Sequence, residues 1–288
     1  MFDVIVIGGG MIGLAFALEL SQKKNCSIAI IEPNTCNPPI NDSFHSRVSA
    51  ITPSSHEYLV SLNIWNNIKR KKAFVATKVW DQNSHGHLNF HAESEGMDQL
   101  GFIVENDLIQ SALFEAIDPS KITIINAKLD SLLKTDIGYT VTLDDESNLS
   151  CNLVVGADGS QSKVRNLVAI EVTERDYDQK AIIANIVSEK PLENTTWQRF
   201  LSDSIIALLP LSENKASIVW SCRSGLADEL MELDIDDFNQ SLSEVVEYRF
   251  GKLILESKRK VFPLVERSAK GYTLPNLALI GDAAHNIH

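Results

Sequence analysis

Cysteine is scarce in this sequence: Cys26, Cys36, Cys151 and Cys222 are the only four, and none stands in a C-x-x-C pair or at metal-ligand spacing. That argues against a disulfide framework or a metal centre and suits a reducing cytoplasm. Cations are also few, 26 Lys and Arg against 38 Asp and Glu, for a formal net charge of −12. Nucleic acid is thereby excluded as the main partner, because neutralising phosphates takes clustered Lys and Arg. The one basic run, residues 69–72, is short and reads as a solvated loop or helix end. No apolar run is long enough to span a bilayer. The longest candidate, residues 4–18, is broken by four glycines, falls short of the ~20 residues a spanning helix takes, and lacks the basic segment that opens a signal peptide. Repeats and low-complexity tracts are absent. The expected location is therefore cytoplasmic, with any membrane contact peripheral to the inner membrane. What remains, 44% hydrophobic and 22% charged over 288 residues, describes a globular chain with room for one large domain or two intimate ones.

The informative stretch is the first. Residues 3–22, DVIVIGGGMIGLAFALELSQ, open on a continuous apolar run of the kind a parallel strand buried on both faces needs. Gly8, Gly10 and Gly13 follow in G-x-G-x-x-G spacing, and then Leu14, Ala17 and Leu18 repeat on one helical face. In such a unit the first glycine makes the tight turn, the second lets the backbone approach a pyrophosphate, and the third lets helix and strand pack closely. The pyrophosphate sits at the helix N-terminus, where free N–H groups and the dipole favour anions. A second strand, SIAIIEP (27–33), carries Glu32, where a ribose offers its hydroxyls. Dinucleotide binding is the reading, against a glycine-rich turn with only a structural role. The motif does not choose between FAD and NAD, although Glu32 would repel the 2′-phosphate of NADP.

Further along, residues 34–56 are polar and proline-containing and read as loop, with Arg47 an isolated cation. It either pairs with a surface acid or reaches a phosphate or flavin. Residues 101–117 read as an amphipathic helix. Strands are expected at 121–129, 138–144 and 148–159, with a turn at DDES. Asp158-Gly159 falls where the last of these strands ends: a turn-former by one reading, a ligand-binding carboxylate by the other, since doubly wound sheets bind ligands at that edge. From 180 to 222 four alternating strands predict an antiparallel sheet in a second region. Residues 234–251 read as a helix with Phe238, Leu242, Val245 and the Arg249 stem on one face, stopped by Gly251. The chain closes on a strand-like run and Gly281-Asp282-Ala283-Ala284-His285.

Three motifs thus stand in order: Gly8-x-Gly10-x-x-Gly13 with Glu32, then Gly156-Ala157-Asp158-Gly159, then Gly281 to His285. Together they resemble the single-component FAD-dependent aromatic hydroxylases of the para-hydroxybenzoate hydroxylase superfamily. The text between them, SRVSAIT (46–52), FIVEN (102–106), TWQRFL (196–201), LLPL (208–211), SIVWS (217–221) and FPL (262–264), is most similar to the ubiquinone-biosynthesis hydroxylases of the UbiH, UbiF and VisC type. The resemblance implies an α/β architecture: a Rossmann-type FAD-binding domain (1–75, 101–170, 266–288) interleaved with an α+β substrate domain (76–100, 171–265) built on an antiparallel sheet. It places the ADP half of FAD on Gly8, Gly10, Met11, Ile12, Gly13 and Glu32, with Arg47 near flavin and pyrophosphate. A backbone group at Lys128 would meet the adenine, Asp158 the pyrophosphate and the visiting NAD(P)H, and Gly281 with Asp282 the ribityl chain.

By the same resemblance the activity is hydroxylation of a polyprenylated phenol in ubiquinone biosynthesis, using NADH or NADPH and O2, the hard chemistry being the cofactor's. The protein's part is to orient the ring and exclude water. A membrane surface or multi-enzyme assembly would deliver such a lipid. Two rivals stand beside it, a same-fold flavin reductase or halogenase and a non-catalytic scaffold subunit. Two departures from the family pattern stand out: Ser204-Ile205 occupies a usual Gly-Pro, and the expected proline, G-Q-G turn and helical region after His285 do not follow. The chain is therefore expected to be a fragment that binds FAD weakly or not at all.

Overall fold

The computed structural model describes residues 1–34, 36–83 and 86–287. In chain order the elements are β1 (Phe2–Ile7), α1 (Met11–Lys23), β2 (Ile28–Ile31), β3 (Val48–Ile51), α2 (Pro53–Ser61), β4 (Lys72–Phe74), β5 (Ala76–Asp81), β6 (His87–His91), β7 (Gly101–Glu105), α3 (Asn106–Glu115), β8 (Ile122–Ile125), β9 (Leu129–Lys134), β10 (Tyr139–Leu143) and β11 (Asn148–Gly156). There follow α4 (Lys163–Leu167), β12 (Val172–Ser188), β13 (Thr195–Phe200), β14 (Ser204–Pro210), β15 (Lys215–Arg223), α5 (Ser224–Glu232), α6 (Ile235–Val245), β16 (Leu253–Leu255), β17 (Lys260–Ala269), β18 (Thr273–Leu274), β19 (Leu277–Leu279) and β20 (His285–Asn286).

The first sheet has β1 at its centre, parallel to β2 on one side and β11 on the other, extended by β8 and β19 in the same sense. Its inner strands are buried on both faces, which is why Val4 to Ile7 and Ile28 to Ile31 are unbroken apolar runs. One face is covered by α1 and α3, which bring Leu14, Ala17, Leu18, Leu108 and Ala112 into a single core. The hairpin β9–β10 continues the sheet antiparallel from β11.

The second sheet runs β20-β17-β12-β15-β14-β13-β5-β6, antiparallel except where β13 lies parallel to β5. Alternation sends Ile182, Ala184, Ile206, Leu208, Ile218 and Trp220 to one face, against Phe238 and Leu242 of α6 and Leu230 of α5. Between the two sheets lies the small sheet β3-β7-β4. Val104 and Ile51 point into the first core, whereas Ile103 and Phe74 meet Leu211 of the second sheet. The division drawn from the sequence at 265/266 cuts through β17, which runs to Ala269, and β20 pairs with β17 rather than with the first sheet.

Four sequence expectations are corrected. Residues 34–56 are not all loop: β3 and the start of α2 lie inside, with Thr52 capping α2 (Oγ1 accepts from Ser55 N, 3.3 Å) and Pro53 at its first position. The helix at 101–117 begins only at Asn106, because Gly101 to Glu105 is the middle strand of the small sheet. The strand at 121–129 is two strands, β8 and β9. The helix at 234–251 ends at Val245, well before Gly251. Glu247 and Tyr248 take left-handed φ of 58° and 50°, and Tyr248 N returns to Ser243 O at 2.8 Å. Non-glycine residues accept that conformation because Arg199 and the Trp80 indole hold the Glu247 carboxylate from the neighbouring sheet.

Candidate functional site

The carboxyl ends of β1, β2, β11 and β19 converge, and backbone hydrogen bonds stitch the three motifs there. Gly8 N donates to Ile31 O (2.9 Å), Ala157 N to Ile7 O (2.7 Å) and Ile280 N to Gly156 O (2.9 Å). The glycines divide as the spacing predicts. A Cβ on Gly8 would stand 2.3 Å from Ala157 O at a φ of +109°, and one on Gly13 would stand 2.0 Å from Gly8 O. A Cβ on Gly10 would meet nothing within 4 Å. Space is therefore kept at Gly10 for something other than protein.

That space opens into a cavity of about 610 Å³, lined by Gly8, Gly10, Glu32, Lys128, Asp158 and Lys163 among others. At one wall α1 begins at Gly10 with no side-chain cap and no acidic residue in its first turn. The N–H groups of Met11, Ile12 and Gly13 thus form an uncompensated positive helix end. Asp158 uses Oδ2 to accept from Val164 N (3.0 Å), so it does act as a turn-former. Its Oδ1 is buried without a partner among the described residues. Glu32 is tied to backbone, Oε2 accepting from Gly9 N (2.8 Å) and Oε1 from Asn34 N (3.0 Å), while its side chain still faces the cavity. Lys128 lines the cavity too, but its N–H donates to Asp144 Oδ1 (3.0 Å) and its carbonyl accepts from Asp144 N (2.9 Å). Of the Lys128 backbone, a ligand there meets at most the second lone pair of that carbonyl.

Six expected residues are not in the cavity lining: Met11, Ile12 and Gly13, which follow Gly10 in α1, and Gly281, Asp282 and Arg47. Gly281 packs over Ile12 at the start of α1, its would-be Cβ 3.2 Å from that side chain. Asp282 is exposed in the 3₁₀ turn Gly281–Ala283, and Arg47 is exposed just before β3; neither side chain has a hydrogen bond or ion pair among the described residues. His288 lies outside the described residues. Trp197 packs on the helix side of the second sheet, 5% exposed, its Nε1 donating to Leu192 O and its ring edge-on to Trp80 and Phe250. It belongs to the second core and lines a separate cleft of about 240 Å³ with Lys78, Trp80 and Arg249.

Sequence reasoning missed Arg165. Its guanidinium is buried, with Nη1 donating to Ala283 O (3.0 Å) and Nη2 to Ser160 O (2.9 Å). One side chain thereby joins the second motif to the third. The signal was legible: Ser162 caps α4 through Arg165 N (3.0 Å), which turns the arginine inward three residues later. Cys36 was also passed over. Its sulfur sits against Gly9, and burial with the Glu32 carboxylate beside it pushes the thiol up to about 11. Iodoacetamide near pH 8 should therefore leave Cys36 unmodified in the folded chain and alkylate it after unfolding, as read by mass spectrometry.

An open cradle at Gly10, a bare helix N-terminus and an orphaned carboxylate oxygen together fit a bound pyrophosphate with hydroxyl-bearing neighbours. Residues 1–288 match the family model described as FAD binding domain. The chain belongs to that family. Among curated relatives, the mouse (Mus musculus) mitochondrial ubiquinone biosynthesis monooxygenase COQ6 is 33% identical, the match covering 100% of this chain and 71% of that protein. The 3-demethoxyubiquinol 3-hydroxylase of Escherichia coli K12 is 31% identical over 99% of the chain and 74% of its own length. Of solved structures, Pseudomonas aeruginosa PqsL in complex with 2-aminobenzoylacetate superposes with a TM-score of 0.81, 19% identity, and coverage of 100% and 80%. The p-nitrophenol 4-monooxygenase PnpA of Pseudomonas putida DLL-E4 gives 0.75 at 16% identity, covering 98% of this chain and 73% of that one. At such identities the two structures establish the fold: an α/β FAD-binding fold carrying an antiparallel sheet.

Proposed function

We propose that this chain serves a FAD-dependent monooxygenase that hydroxylates a polyprenylated phenol, a quinone precursor of ubiquinone biosynthesis, with NADH or NADPH as reductant and O2 as oxygen source. The observation carrying this reading is the match over 99–100% of the chain to a ubiquinone biosynthesis monooxygenase and a 3-demethoxyubiquinol 3-hydroxylase. Residues 1–75 and 101–170 with β18, β19 and the turn Gly281–Ala283 serve the cofactor, and 76–100 with 171–269 the substrate. When bound, FAD supplies the two-electron oxidation of the nicotinamide and the activation of oxygen.

The chain's own residues hold and shield. The N–H groups of Met11, Ile12 and Gly13 take the pyrophosphate, and Gly10 lets it approach. Glu32 faces the ribose. As a carboxylate, Asp158 meets a hydroxyl or N–H of the cofactor through Oδ1 rather than a phosphate oxygen, which it would repel. Arg47 and Asp282, both without partners among the described residues, are free to turn toward the cofactor. The face of the second sheet turned away from α5 and α6 carries Gln198, Ile205, Ala207, Val219 and Ser221 as cross-strand neighbours, half-buried. Ile205, Ala207 and Val219 give it an apolar patch for an aromatic ring, with Gln198 and Ser221 as polar neighbours. Among the described residues no helix is long and apolar enough to cross a membrane. A cytoplasmic protein making peripheral contact with the membrane that holds its substrate suits this reading.

The test has two parts. Saturable but weak quenching of FAD fluorescence by the chain is expected and, where FAD is bound, faster NAD(P)H oxidation with a prenylated phenol and formation of hydroxylated product. FAD binding with reduction of a polyprenyl double bond, or ring halogenation, would replace the hydroxylase by a reductase or halogenase. No saturable FAD binding would sink catalysis by this chain, and a scaffold role would then stand in its place.

A further inference from the structure

Four successive residues leading to β3 are each fixed by a different element. Phe44 O accepts from Asn185 Nδ2 of β12 (2.6 Å), and His45 N donates to Glu105 Oε1 at the end of β7 (2.7 Å). Ser46 O accepts from Ser217 Oγ of β15 (3.2 Å), and Arg47 O accepts from Asn106 N at the start of α3 (3.1 Å). Glu105 is itself locked by Arg70, whose Nε and Nη2 reach both carboxylate oxygens at 2.8 and 2.9 Å.

The polar groups in this arrangement are costly where they stand. Asn185, Ser217 and Glu105 are 2%, 0% and 2% exposed. Asn185 and Ser217 face one another across β12 and β15, between apolar neighbours Ala184, Ile186, Ala216 and Ile218. A valine at either position would satisfy the sheet, and each buried polar group costs about 1–3 kcal/mol if left unpaired. Their side chains instead reach across to the carbonyls on either side of His45. Four anchors in four residues hold a backbone far more firmly than its own turn requires. The residue delivered at the end is Arg47, with a guanidinium that has no partner among the described residues.

We infer that Asn185, Ser217 and Glu105 are positioning residues for FAD: they fix residues 44–47 so that the Arg47 guanidinium is presented to the anionic part of the cofactor. This rests on the reading of the site given above. Two anchors come from the second sheet and two from the first sheet's side, so the substrate wall and the cofactor's counter-charge are mechanically one piece. None of the three positioning residues touches the cofactor; they act through Arg47.

The experiment is a double-mutant cycle on FAD affinity, read by flavin fluorescence at several ionic strengths. Arg47→Ala should weaken binding roughly tenfold or more and flatten its salt dependence. Asn185→Ala and the milder Ser217→Ala should each weaken it by about threefold and flatten it in the same way. In the Arg47→Ala background, Asn185→Ala should add nothing further. Without FAD, hydrogen exchange should rise at residues 44–47 in both anchor variants and stay unchanged in the core of the first sheet. Additive losses, or an Asn185→Ala variant with unchanged affinity and salt dependence, would overturn the inference while leaving the site intact. A wild-type chain that binds no FAD would remove the site reading itself, and the inference with it.

Discussion

Gly8→Ala is expected to unfold the chain under conditions in which Gly10→Ala stays folded and fails to hold FAD. At Gly8 a methyl meets the Ala157 carbonyl at 2.3 Å with φ at +109°, and both obstacles are backbone. Strain of about 1–3 kcal/mol adds to about 1–3 kcal/mol of overpacking. Together they take a large share of the roughly 5–15 kcal/mol that holds a domain. Gly10 has φ of −74°, which alanine adopts freely, and open space where its Cβ would go. Its folding free energy should stay within about 1 kcal/mol of the parent. The methyl instead occupies the cradle, and FAD affinity should fall roughly tenfold or more. Urea melts followed by fluorescence titration separate the two. Equal stability of both variants would show that the first turn is less tightly packed than its distances imply.

Arg165→Met is expected to cost about 3 kcal/mol, since two charge-assisted hydrogen bonds are lost and the Ser160 and Ala283 carbonyls are left behind. Arg165→Lys should recover little, because one ammonium does not span two carbonyls that a planar guanidinium bridges. A fall in Tm of roughly 10 °C for Met, with Lys closer to Met than to wild type, is the thermal signature. A Lys variant as stable as the parent would mean that charge alone suffices and the fork does not matter.

What could be read from the sequence was whatever the backbone of one continuous segment decides. Residues 2–31 form the unit their pattern predicts because strand, turn and helix are neighbours in the chain, with Gly8 and Gly13 answering close backbone contacts there and Gly10 leaving open space. The strands of 180–222 were legible by alternation. Gly101 to Glu105 was not, because Phe102, Ile103 and Val104 alternate between two cores that the sequence does not display together. Nor was the end of α6, where Arg199 and Trp80 from another element stabilise a left-handed glutamate in place of the glycine four residues on. The site divides likewise. Gly8, Gly10, Glu32 and Asp158 line the cavity, while the backbone of Lys128 is committed to Asp144 and Arg47 depends on anchors scattered from 105 to 217.

The strand order β19-β11-β1-β2-β8 means that the central strand, synthesised before its partners, waits for residues 148–156 on one side, and the sheet waits for 277–279 beyond them. At about 5–20 residues per second, β1 and β2 spend on the order of tens of seconds with unpaired apolar edges. During that interval α1 and α3 can cover only one face. The interleaving that builds the cofactor cleft from three distant motifs therefore prolongs the exposure of apolar strand edges during synthesis, and a pause late in translation would extend it further.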